Sequence, residues 1–390
     1  MKLGPDIKLL FKKYLELDTS RADGRNYLPT VKLLANYLDN LGFVNTVYKI
    51  PRKIAGRPNR YNLVAARFFS KNLPTLVLYN HIDVVPAEYK DAFVFKEKNG
   101  KFFGRGAADH KGGTIALLDA LTKIKKQLMR FNLVFWATTD EETQQLSQLI
   151  YMTKKLHLPK NAIIFDTDTY AGGITIARLG FYTFELIIKG KSAHSAMSNL
   201  GKNPIEDMAK LIYFFGEVKK EYESKKSGFK AFKSSGLDYV VNRCNVTMVN
   251  SGIASNTIPE TAKMTINCRY IPEENVPKAI LDLESRIATF CRQSNINYEI
   301  NQGKSMQGQG SDTPYAQELN SIYKQYQKDS ELCCVLGSCE LSVWSHDNRF
   351  PHFALGVAGG ETNVHGVNEF AFEKDILEVS ETLQQFLVSH

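Results

Sequence analysis

His81, Asp83, Asp109, Glu141, Glu142, Asp166 and His365 are the side chains of this chain whose types and spacing suit chemistry. Each lies at or just past an apolar run, as in TLVLYNH (75–81), LVFWATT (133–139) and AIIFD (162–166). Imidazoles and carboxylates are the donors that hold zinc and similar divalent ions. Seven such groups, with one left over as a proton carrier, are what a hydrolase with paired ions needs. His81-Ile82-Asp83 puts two donor types on one face if the strand continues. In GRGAADHKGG (104–113) the glycines allow tight turns and close backbone approach, and Asp109 precedes a helical run. That position would equally suit a helix cap. TTDEET (138–143) gathers three acids after an apolar strand, a costly arrangement unless a cation neutralises them. IIFDTDT (163–169) repeats the pattern and offers both Asp166 and Asp168, while GGETNVHGVNEF (359–370) supplies His365.

These residues need elements to position them. Apolar strand-like runs alternate with helical stretches at 113–128 and 143–156, which predicts an α/β fold with an open, mostly parallel sheet flanked by helices. Ligands of such sheets collect beyond the carboxyl ends of the strands, where the acids and His81 fall. The middle of the chain reads differently. A strand at 181–190, a helix at 203–223, a hairpin at 244–252 and 261–270, a helix near 273–294 and a strand near 296–301 give the order βαββαβ. We therefore expect a catalytic domain in two pieces, 1–180 and 302–390, interrupted by an inserted α+β domain at 181–301. Within the insert, the Ser/Lys/Gly stretch 224–236 reads as a surface loop. Later elements are a helix at 313–329, a strand at 352–358 and a closing helix at 373–388.

Composition narrows the class. The chain has 390 residues, 43% of them hydrophobic, enough for a packed core. Its net charge of +8 raises nucleic-acid binding as an option, but the basic stretch 219–233 lacks a recognisable motif and no such partner is expected. No run of about 18 apolar residues offers a membrane span. The first residues lack the apolar core and cleavage site of a secretion signal. Six cysteines without a CxxC pair suit reduced thiols, so a cytoplasmic location is expected.

Together these segments resemble the zinc-dependent peptidases and deacylases that include acetylornithine deacetylase, succinyl-diaminopimelate desuccinylase, aminoacylase and glutamate carboxypeptidase. The resemblance runs from about residue 60 to the end. It implies two divalent ions, Zn2+ foremost with Co2+ or Mn2+ as substitutes. It implies His81, Asp109, Glu142, Asp166 and His365 as ligands, with Asp109 bridging, and Glu141 as general base. Asp83 would orient His81. The insert resembles a lid and dimerisation domain, so a homodimer is implied. GKSAHSA (190–196) matches a segment whose His, here His194, reaches the scissile carbonyl, typically from the partner subunit. SNTIPE (255–260) and INCRY (266–270) match segments whose Asn256 and Arg269 would bind substrate.

Three departures stand out. Asp166 occupies a position where the deacylases usually carry Glu and several di- and tripeptidases carry Asp. SVWSHDNRF (342–350) resembles the desuccinylase pattern G-G-T-S-D-G-R-F, with Trp344 and Asn348 replacing glycines. EETQQ (141–145) lacks the glycine that commonly follows the Glu pair. The expected activity is release of an acyl group from an N-acyl amino acid or short acyl-peptide. A metallo-dipeptidase, aminopeptidase or carboxypeptidase of the same family is the alternative, and a non-catalytic amino acid or peptide binder is the rival from another class.

Overall fold

The computed structural model describes residues 2–125, 128–143, 146–338 and 350–388. Cys339 and residues 342–349 of the desuccinylase-like segment lie outside them.

Two runs, Thr75–His81 and Asn132–Thr138, are buried at every position and pair in parallel. Apolar side chains on both faces require cover on both faces, which is the signature of a central strand. Ile163–Asp166 joins Thr75–His81 in parallel, and His352–Ala354 joins Ile163–Asp166 in the same sense. These four strands form the middle of a nine-stranded sheet. Its flanks pair mostly antiparallel: Val44–Ile50 and Arg60–Arg67 on one side, and Ile174–Arg178 with Gln309–Gly310 on the other, where Leu332–Val335 also joins Ile174–Arg178 in parallel. The sheet is therefore mixed, a parallel core with antiparallel borders. The expected parallel character holds where βα crossovers connect the strands. It ends where a short connection, Pro51–Asn59, returns the chain as a hairpin.

Helices Pro5–Leu15, Gly112–Lys123 and Glu373–Phe386 bury residues such as Phe11, Leu117 and Leu383 in the same core. Gly113 allows one of these close contacts. A Cβ there would stand 2.9 Å from the Thr167 carbonyl oxygen, so only glycine lets the helix lie against the segment that follows Asp166.

A second, four-stranded antiparallel sheet has the order Arg243–Ser251, Thr261–Tyr270, Gly180–Lys189, Asn297–Met306. Helices Pro204–Ser224 and Val276–Gln293 bury Leu211, Phe215, Leu283 and Ile287 against it. The stretch read as a loop at 224–236 is ordered. Lys226–Lys230 pairs with Tyr239–Val241 as a hairpin. Beyond its first strand the hairpin reaches the large sheet, where Ala231 bridges to Cys334 in the strand Leu332–Val335 and Phe232 N donates to the Cys334 carbonyl at 3.1 Å. Phe232 also stacks on Tyr170 at 4.7 Å between ring centroids.

Candidate metal centre

The carboxyl ends of the parallel strands deliver the donors. His81 closes its strand, and Asp140, Glu141 and Glu142 follow Thr138. Asp168 follows Asp166, and His365 lies beyond His352–Ala354. Asp109 arrives from the turn Ala107–Lys111, which opens on Gly106 at φ +85°. A side chain at Gly106 would meet Val84 at 2.5 Å. Asp109 does not cap the helix that follows, so its carboxylate faces the other donors.

Two groups of donor atoms converge. His81, Glu141 and Asp168 bring one atom each within 4.8 Å of one another, and so do Asp109, Glu142 and His365. Asp109 joins the two groups. Its Oδ1 lies 3.4 Å from His81 Nε2, and its Oδ2 lies 3.1 Å from His365 Nε2. His365 Nε2 is also 3.2 Å from Glu142 Oε2. His81 Nε2 is buried without a hydrogen bond among the described residues. Leaving such an atom unsatisfied is costly, and crowding this many acids is costlier still. A pair of divalent cations satisfies both, and imidazole with carboxylate oxygen is a donor set that suits them.

The electrostatics follow from that crowding. Burial would lower the His81 imidazole, but Asp109 and Asp83 hold it well above its ordinary value. Burial pushes Glu141 well above the usual carboxyl range, and the charges of Asp168, Glu142 and Asp109 add to it. Burial likewise brings Glu142 up to about 7, against the pull of His365. Hydrogen bonds to Asp109 and Glu142 raise His365 to about 10. A carboxylate with a raised proton affinity beside the site of reaction is suited to carrying a proton.

Neighbouring side chains fix these donors. Asp83 accepts from the Glu141 N–H at 3.2 Å and the Glu142 N–H at 3.1 Å, one per oxygen, with His81 Nδ1 3.6 Å from its carboxylate. Asp140, at φ +65°, holds the turn into the Glu pair, and both its oxygens accept from Arg60 Nε at 2.7 and 2.8 Å. Buried Arg60 in turn lies over the Tyr27 ring at 4.4 Å. His110 stacks on His81 at 4.1 Å, and its Nε2 accepts from the His81 backbone N–H. Buried Asn80 accepts from Thr114 and Thr167, each at 3.1 Å, tying three segments together beneath the centre. Arg60, Asn80 and His110 are not among the residues to which the sequence points. The place of His110 directly after Asp109 is its one available signal, and the other two carry none.

Asp166 and Asp168 part company. Asp166 is buried against Arg178, with Nη2 at 3.0 Å from Oδ2, and its other oxygen accepts from the Asp168 N–H. Burial pushes the Asp166 carboxyl up to about 7, against Arg178. Asp168, not Asp166, stands with His81 and Glu141. The strand ends at Asp166, so its side chain still obeys sheet alternation and points towards Arg178, whereas Asp168 is free of it.

Asp109, Glu141, Glu142, Asp168 and His365 line a cavity of about 480 Å³ that also includes Arg178, Ser338 and Tyr170, with His81 buried behind them. A larger cleft of about 1160 Å³ lies on the other side of Tyr170, under the 226–241 hairpin, and contains neither donor group. Arg269 is joined to the cavity through Ser338, to whose Oγ its Nη1 donates at 3.2 Å. It also lies over Phe181 at 5.4 Å. Among the described residues no acid pairs with Arg269, although burial has lowered its pKa. His194 and Asn256 lie apart from the cavity lining. Both are exposed, His194 on the small ladder of Ala193–His194 with Thr257–Ile258 and Asn256 just before it, where Ser195 N donates to the Asn256 carbonyl at 2.9 Å.

A family model described as peptidase family M20/M25/M40 matches residues 77–389. A protein named probable succinyl-diaminopimelate desuccinylase, from Staphylococcus epidermidis, is 26% identical over 357 residues, covering 83% of this chain and 85% of the relative. Among solved structures, a tripeptidase from Staphylococcus aureus superposes with a TM-score of 0.77 at 18% identity, over 99% of this chain and 98% of that one. A Bacillus subtilis protein described as a dinuclear metal binding peptidase superposes with a TM-score of 0.69 at 13% identity, over 98% and 96% of the two chains.

Proposed function

We propose, for a chain that belongs to peptidase family M20/M25/M40 and so is a metal-dependent hydrolase of amide or peptide bonds, that its substrate is an N-acyl amino acid or short acyl-peptide carrying a free carboxylate. The observation that carries this reading is Arg269. It is a half-buried guanidinium beside the cavity, held by Ser338 and without an acidic partner among the described residues. A substrate carboxylate would complete it with a two-pronged hydrogen bond.

His81, Glu142, Asp168 and His365, with Asp109 between them, would hold two divalent ions, for which Zn2+ is our choice and Co2+ or Mn2+ are substitutes. When bound, such ions supply Lewis acidity and lower the pKa of nearby water. Glu141 takes the proton released as water attacks the carbonyl and passes it to the leaving amine nitrogen. The Asp83 carboxylate holds the backbone of the Glu pair, and the Asp83 main-chain carbonyl, 3.1 Å from His81 Nδ1, helps to turn His81 towards the centre.

Support for a homodimer comes from exposed apolar side chains on the helix Pro204–Ser224 and on the edge strand Arg243–Ser251. Tyr213 is 72% exposed and Met248 68%, with Ile212 and Val249 exposed beside them in sequence. Exposed apolar side chains of this kind suit association with a second copy. In that dimer the exposed His194, with Asn256, would complete the partner's cavity. A second reading, hydrolysis of plain di- or tripeptides, is supported by the short Asp168 among the ligands. Assaying acetyl- and succinyl-amino acids beside unblocked dipeptides, with and without a chelator, tests the proposal. Chelator-sensitive turnover of the acylated substrates is expected. Turnover of the unblocked peptides alone would replace it with the second reading.

A further inference from the structure

Glu369 takes no part in the chemistry described so far, yet its carboxylate is fully buried and accepts four hydrogen bonds. Oε2 receives Arg105 Nη1 at 2.7 Å and the Gly106 N–H at 2.9 Å, while Oε1 receives the Ala108 and Asp109 N–H groups, each at 3.0 Å. Three of these donors are backbone N–H groups of the turn that presents Asp109, those of Gly106, Ala108 and Asp109 itself. The guanidinium of Arg105 has a second hold. Its Nη2 donates to the His365 carbonyl at 3.1 Å. Around this pair the backbone is stitched again, with Gly104 N donating to the Glu369 carbonyl at 3.0 Å and Phe103 paired with Phe370.

We propose that Glu369, acting with Arg105, is a positioning residue that sets the spacing of Asp109 and His365 and thereby assembles the Asp109–Glu142–His365 half of the centre. The inference rests on the paired-ion reading. Asp109 comes from the turn after the 101–103 strand and His365 from a loop near the carboxyl end, 256 positions later. Each donor's own backbone is therefore fixed only as well as these two loops are fixed to each other. A carboxylate does this better than an amide because all four of its partners are donors and it is acceptor-only. Glu369→Gln keeps the size but turns an NH2 towards N–H groups or towards the guanidinium. Supporting groups of this kind commonly account for ten- to hundredfold in metal affinity.

The test is titration of the metal-free full-length protein with Co2+ alone, followed by its visible absorption and by calorimetry. Wild type should take two equivalents, and His365→Ala identifies the band and affinity of the ion held by this half. Glu369→Gln should weaken that same ion about tenfold or more, and the other ion by less. Arg105→Lys keeps a cation opposite Glu369 but drops the bond to the His365 carbonyl, and it should show the same selective loss. It also guards against misfolding of the first variant. Equal weakening of both ions, or affinities unchanged in both variants, overturns the inference while leaving the paired-ion reading intact. Fewer than two ions on wild type would overturn that reading itself, and the inference with it.

Discussion

Asp83→Asn changes one atom of a carboxylate that reaches both halves of the centre. Its two oxygens each accept one backbone N–H, from Glu141 at 3.2 Å and from Glu142 at 3.1 Å, and His81 Nδ1 lies 3.6 Å away. Asparagine can keep one of these bonds through its oxygen. Its NH2 must then face the other N–H, so one charge-assisted hydrogen bond is lost and a buried donor is left unsatisfied. Bonds to charged groups contribute about 1.5–3 kcal/mol. At 1.36 kcal/mol per tenfold, that is roughly a ten- to hundredfold loss, and it falls on whatever the Glu141–Glu142 turn and His81 position. The loss should appear in metal affinity, measured by competition with a chromophoric chelator, and in kcat, while circular dichroism stays that of the wild type. Binding of both ions within about threefold of wild type, at unchanged kcat, would refute the account of Asp83 as the common support of the two halves.

Asp168→Asn should cost one equivalent of Co2+ in a stoichiometric titration, and Asp166→Asn should retain both; the reverse outcome would return the ligand role to Asp166. Glu141→Gln and His194→Ala should each be inactive alone. Mixed, unfolded and refolded together, they should regain about a quarter of wild-type activity, because half the dimers are mixed and each then holds one intact cavity. A mixture as inactive as its components would place His194 outside its partner's reaction. Acid stability should depend on His352. Burial, then Arg178, pushes the His352 imidazole down to about 3. The unfolded chain takes up this proton near pH 6.5 and the folded one does not, so stability is lost as pH falls through 6.5. Between pH 6.5 and 4.5 the loss amounts to about 2 kcal/mol. Urea unfolding of the metal-free protein should show a pH dependence flatter by that amount in His352→Gln, and parallel curves would reject the assignment.

Much of the centre is legible in the chain because each donor type punctuates an apolar run, and a buried parallel strand must end near the ligand side. What the chain hides is the choice between acids two residues apart. Asp166 and Asp168 have the same chemistry and nearly the same place. Arg178 separates them, and it comes from another strand of the sheet. Arg60 was hidden for a similar reason, since its partner Asp140 is 80 positions away. The 226–241 hairpin was misread because Ser, Lys and Gly dominate it, a composition that suits loops. Its pairing depends on contacts with Cys334 and Tyr170 that no local pattern announces. The antiparallel border at 44–67 escaped notice because its connection, PRKIAGRPN, reads as a break between elements.

That hairpin has a mechanical consequence. The polypeptide passes between the large and small sheets twice, through Leu179 and through Gln307–Gly308, and the two passages lie side by side because Gly308 approaches Gly180. Two adjacent tethers make a hinge with a free axis. The non-covalent grip of Ala231 and Phe232 on Cys334 adds a third point away from that axis, like a latch on a door. Any rotation of the small sheet about that axis, and with it any travel of the His194 ladder, has to break this grip or bend a hairpin of serine, lysine and glycine.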